Sequence, residues 1–89
     1  MAESASLPRQ AMLWRRSDGR YYTCSFQQNL FGEWVIIRRW GTIHSRRGRT
    51  MATLCQSYED GLEELAAIAK RRKQRGYQAI EEGRGQDYS

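Results

Sequence analysis

The hydrophobic and polar positions of the chain follow two rhythms, an alternation of two over the first half and a helical spacing after position 57. Met12, Leu13 and Trp14 form a brief apolar patch that stops at Ser17-Asp18-Gly19. A short apolar run ending in Asp-Gly is a turn signal, so the chain is expected to reverse there as a hairpin. Beyond it, Tyr22, Cys24 and Phe26 alternate with Tyr21, Thr23, Ser25 and Gln27. At two residues per side-chain repeat, this places an apolar set on one face and predicts a half-buried strand. Residues 28–33 read as a loop around Asn29 and Gly32, with Leu30 and Phe31 expected to tuck inward. Residues 34–40 (WVIIRRW) are rich in β-branched and aromatic side chains and apolar at consecutive positions. That is the pattern of a central strand covered on both faces. Gly41 closes the run, residues 42–48 form a polar turn, and residues 49–55 predict a fourth strand whose facing the pattern leaves ambiguous.

The period changes at Ser57, an N-cap residue with Asp60 three positions on and Glu59, Glu63 and Glu64 in or near the first turns. Carboxylates there complement the helix dipole, so a helix is expected to begin. Leu62, Leu65, Ala66 and Ala69 fall at i, i+3, i+4 and i+7, which predicts the stripe packed on the sheet. Lys70, Arg71, Arg72, Lys73 and Arg75 load the far end before Gly76, a C′ glycine, with Tyr77 placed to fold back. The expected fold is therefore α+β, a small antiparallel or mixed sheet of about four strands packed against one C-terminal helix. Residues 11–77 make the domain. Residues 1–10, polar and containing Pro8, are expected to be a disordered leader, and residues 78–89, without periodicity, a flexible tail.

Length and composition narrow the class. A chain of 89 residues is one small domain, which excludes large enzymes, and 39% hydrophobic with 28% charged residues is a globular balance. Cys24 and Cys55 lie far apart without metal-type spacing. Both are expected to be reduced core residues of a cytoplasmic protein, with no metal site. No apolar run approaches the roughly 18 residues that span a bilayer, so no membrane partner is expected. The net charge of +5 is uneven: residues 1–50 hold nine bases against three acids, residues 51–89 six against seven. Such a field favours polyanions.

Three separated motifs give this charge a context: Leu30-Phe31-Gly32-Glu33-Trp34, then Arg38-Arg39-Trp40-Gly41, then Lys70-Arg71-Arg72-Lys73-Gln74-Arg75-Gly76-Tyr77. In that order they resemble the bacterial WGR domains, named for a Trp-Gly-Arg signature, over about Trp14 to Tyr77. Tyr21-Tyr22 falls where those domains begin their first long strand. The resemblance implies a small sheet wrapped against one helix. It also implies nucleic-acid binding, because the WGR domain of poly(ADP-ribose) polymerases contacts DNA near a strand break, where the signature tryptophan packs on sugar or base. By position that tryptophan is Trp40, followed by Gly41. Thr42 stands where the family has arginine, which leaves Arg46, Arg47 or Arg49 to supply that charge.

Phosphate binding needs cations within reach of a regular row of negative charge, and stacking needs an open aromatic face beside them. Arg38, Arg39, Trp40, Arg46, Arg47 and Arg49 supply both within twelve residues. On an extended strand Arg38 and Trp40 share a face and Arg39 points opposite. Neutralising about five phosphates of duplex DNA gives a slope of log affinity against log salt of about −4 to −5. Lys70, Arg71 and Lys73 are auxiliary candidates, although a basic last turn also complements the dipole. Packing competes with stacking for every sheet aromatic, and Trp14 and Trp34 are assigned to the core. Catalysis finds little support. His44 is a lone histidine in a polar loop, the acids fall in like-charged i, i+4 pairs, and no glycine-rich phosphate loop is present, so no cofactor is expected. The expected function is a non-enzymatic module that binds nucleic acid, in the first place DNA at ends or nicks. The alternative is a protein-interaction adaptor that docks an acidic partner or a separate enzymatic domain.

Overall fold

In the computed structural model, which describes residues 10–80, the elements run β1 (Gln10–Arg15), β2 (Arg20–Gln28), β3 (Trp34–Thr42), β4 (Gly48–Cys55), α1 (Tyr58–Gln74) and β5 (Gln78–Ile80). The strands make one sheet in the order β4-β3-β2-β1-β5, antiparallel at every pairing. The class is α+β as expected, but with five strands instead of about four. The fifth is Gln78–Ile80, expected to begin a flexible tail. It pairs with β1, Leu13 opposite Ile80, and three residues are too few to show a period. The rest of the expected leader and tail, residues 1–9 and 81–89, lies outside the described residues.

Both tight hairpins use one geometry. Gly19 donates to the Arg16 carbonyl at 3.0 Å and Arg16 to the Arg20 carbonyl at 2.9 Å; Gly32 and Asn29 repeat this with Asn29 and Glu33. Each is a three-residue loop whose third position is a glycine at positive φ, 95° and 80°. In the second loop Leu30 and Phe31 occupy the tip, where side chains point away from the sheet. They are 100% and 86% exposed, so the expected inward tuck is corrected. The Asn29 side chain fixes that tip, its Oδ1 accepting from the Phe31 and Glu33 amides at 2.9 and 3.0 Å.

Phe26, Cys24 and Tyr22 of β2 are buried as their alternation predicts, with Trp14 of β1, Ile36 of β3, and Leu65 and Ile68 of α1. Val35 and Ile37 point to the opposite face, which α1 does not cover. The expectation of a central strand covered on both faces is therefore corrected: β2 is the middle strand, and Val35 is buried between Gln27 and Leu54, its register partners on β2 and β4.

The helix begins where Ser57 accepts from the Asp60 amide at 3.0 Å. It ends in a Schellman turn: Gly76 at φ 87° donates to the Lys73 carbonyl and Tyr77 to the Arg72 carbonyl. Its buried face is Gly61, Leu65 and Ile68, with Ala69 beside them, whereas Leu62 and Ala66 are exposed. The expected stripe is thus rotated by about one position. Gly61 causes the shift: with no Cβ it lies against the Phe26 ring, a contact that a hydrophobicity pattern does not register.

Candidate functional site

The sheet outgrows its helix at one end. There the start of β2, the end of β3, the 43–47 turn and the start of β4 meet Tyr77, which the Schellman turn brings back over the sheet. The register sets Arg20 beside Thr42 and aligns Tyr22, Trp40 and Arg49 across three strands on the helix side. The result is an open cleft of about 510 Å³ lined by Arg20, Trp40, Thr42, Arg47, Arg49 and Tyr77, with Gly41, Ser45 and Gly48 as its floor and wall. Among the described residues no acidic side chain lines it. Asp18 bridges Arg16 at 3.3 Å and Arg20 at 3.6 Å, which tempers Arg20.

Trp40 is half-buried. Its ring stacks on Tyr22, centroids 5.8 Å apart and planes 15° from parallel, and the residue is one of those that line the cleft. The Arg72 guanidinium lies 4.1 Å over Tyr22 and 5.0 Å over Tyr77, so indole, phenol and guanidinium form one stack under the site. The turn is held by its own hydroxyls: Thr42 Oγ1 accepts from the His44 amide at 3.2 Å and Ser45 Oγ from the Arg47 amide at 3.0 Å. Ile43 donates to the Gly19 carbonyl at 2.9 Å, tying this turn to the first hairpin. Gly41 and Gly48 are paired across β3 and β4, and a methyl on either would come within 2.9 Å of the Tyr21 hydroxyl. The glycine after Trp40 therefore admits a phenol laid across the opposite face of the sheet.

Of the residues singled out from sequence, the structure brings Trp40, Gly41, Arg47 and Arg49 into the lining. Arg38 shares the helix side with Trp40 but turns to Glu64 at 3.6 Å, and only 17% of its side chain is exposed. Arg39 stands on the opposite face, Arg46 at the turn's tip, and Lys70, Arg71 and Lys73 on the exposed side of α1. Arg20 was not a candidate from sequence, and Arg72 and Tyr77, read there as part of the basic helix end and as the residue that folds back after Gly76, were not placed at the site. Arg72 falls four positions after Ile68, on the buried stripe, and that spacing was the available signal.

Both cysteines are free thiols. Burial pushes Cys24 up to about 11, Arg38 opposing. Half-buried Cys55 is also raised, chiefly by burial and then by Glu64 and Asp60, with Arg38 again opposing. Among the described residues no group of three or more His, Cys, Asp or Glu side chains could hold a metal ion, and no helix is long and apolar enough to cross a membrane.

The chain matches the WGR domain over residues 10–84 and belongs to that family. It is also similar to the uncharacterized protein y4dW of Sinorhizobium fredii (strain NBRC 101917 / NGR234), 32% identical over 62 residues. The match covers 70% of this chain and 30% of that relative, which is a much longer protein. No solved structure matches the chain.

Proposed function

We propose that this chain is a non-enzymatic module that binds nucleic acid, DNA in the first place, at the cleft beyond the end of α1. The observation that carries the reading is the juxtaposition of the Trp40 ring with Arg47 and Arg49 in a cleft that, among the described residues, no acidic side chain lines. Guanidinium groups take phosphate oxygens in charge-assisted pairs, and the indole offers a sugar or base an apolar surface. The WGR match supports the same reading. Against catalysis stands the state of the thiols: one whose pKa is raised is a poor nucleophile at neutral pH.

Arg38 lies outside the lining and Arg39 on the far face, so three cations line the cleft, Arg47, Arg49 and an Arg20 already bridged to Asp18. The expected salt slope on duplex DNA is then about −2 to −3, shallower than five phosphates would give. Fluorescence-polarisation titration of nicked and blunt duplexes across a salt series reads this directly. Arg49→Ala should flatten the slope by about 1, and Trp40→Ala should weaken binding at least about tenfold at every salt concentration. Absence of binding at about 50 mM salt, where phosphate contacts are strongest, would sink the proposal.

A further inference from the structure

The strand β4 closes the sheet on one side, and its outward backbone groups meet no other strand among the described residues. Edge strands are ordinarily guarded by lysine, proline, a bulge or short length. β4 has eight residues, and from Thr50 to Cys55 none is charged. Met51 and Leu54, on opposite faces of it, are 49% and 62% exposed. One end carries Arg49. Beside the other end lies a recess lined by Thr53, Cys55, Asp60, Glu63 and Glu64. Glu64 is taken by Arg38, whereas Asp60 and Glu63 have no cation partner among the described residues.

We propose that β4 pairs with β4 of a second copy, antiparallel about a two-fold axis at Ala52, so that two five-stranded sheets become one of ten strands. The pairing is isologous, each copy offering the same strand. Keeping both helices on one side requires residues of like facing to stand opposite each other: Ala52 meets its own copy, Met51 meets Thr53, and Arg49 meets Cys55. Arg49 then comes against the recess of Asp60 and Glu63, and symmetry repeats the contact. An axis at Thr50 would instead bring the two Arg49 side chains to diagonal positions, and one at Leu54 would leave Arg49 without a cross-strand neighbour. The two clefts would lie about 20 Å apart along the joined strands, six residues at about 3.4 Å each. Arg49 also lines the cleft, so pairing and nucleic acid draw on the same guanidinium; association is measured without nucleic acid, so its failure leaves the binding reading to the titration above.

Sedimentation equilibrium of the whole chain should show an apparent mass that rises with concentration toward twice the monomer value and falls back as salt screens Arg49. Ala52→Lys, an exposed change that sets like charges face to face on the axis, should keep the circular dichroism of the fold and abolish the rise. Arg49→Glu should weaken association at least about tenfold, and adding Glu63→Arg to it should restore association. In a Cys55→Ser background, Ala52→Cys should cross-link the pair under mild oxidant at least about tenfold faster than Thr50→Cys, whose introduced thiols would be about 14 Å apart. A chain that stays monomeric at every concentration, or equal cross-linking from both positions, would overturn the pairing and leave the edge to a strand of another protein.

Discussion

Gly61 stabilises the fold through the side chain it lacks. In a helix interior glycine is about 1 kcal/mol worse than alanine, yet a methyl here would drive into the Phe26 ring at the centre of the core. Phe26 is fully buried and has no room to yield. Gly61→Ala should therefore destabilise by about 1–3 kcal/mol, read as a lower denaturation midpoint at unchanged m-value. Cys24 makes a second residue-scale prediction. Its thiol holds its proton more tightly in the folded state, about 11 against an ordinary 9.0. Stability should be unaffected by this group below pH 9, then fall as pH rises from 9 toward 11, because the unfolded chain deprotonates first. The loss reaches about 2–3 kcal/mol. Stability measured across that range in wild type and Cys24→Ala should differ by this limb, since the variant loses only the cysteine's part of the alkaline decline.

At the scale of elements, what was legible is what is local. The Ser57 cap, the Gly76 stop, the hairpin at Gly19 and the alternation of Tyr22, Cys24 and Phe26 each depend on neighbours in sequence. The helix stripe and the Leu30-Phe31 tip were misread because both depend on how one element meets another. The corrected stripe is directly measurable. Leu65→Ala, which empties a buried position, should cost about 2–5 kcal/mol, whereas Leu62→Ala, at a position 37% exposed, should cost less than about 1 kcal/mol. Thermal or denaturant unfolding of the two variants decides between the faces, and equal losses would restore the original stripe.

Across the whole molecule, charge is sorted along the sheet. Arg20, Arg47 and Arg49 gather beyond the end of the helix, while Asp60, Glu63 and Glu64 gather around its start. The imbalance between the two halves of the sequence anticipates this, and the resemblance points to Trp40 and Gly41. Arg20 was not a candidate because strand register brings it from a distant segment, and Tyr77, though expected to fold back after Gly76, was not placed beside Trp40 because the sequence does not say where the end of α1 lies over the sheet. Arg38 and Arg39 are adjacent in sequence to Trp40 yet separated from the cleft, the first by an ion pair and the second by the pleat. A single face of the sheet is therefore expected to carry binding. Chemical-shift mapping of the labelled chain with an added blunt duplex tests it most directly: the Trp40 indole N–H and the amides of Thr42, Arg47, Arg49 and Tyr77 should move together, while Thr23 and Arg39 on the other face stay still. No shifts at all, or shifts centred on Thr23 and Arg39, would contradict it.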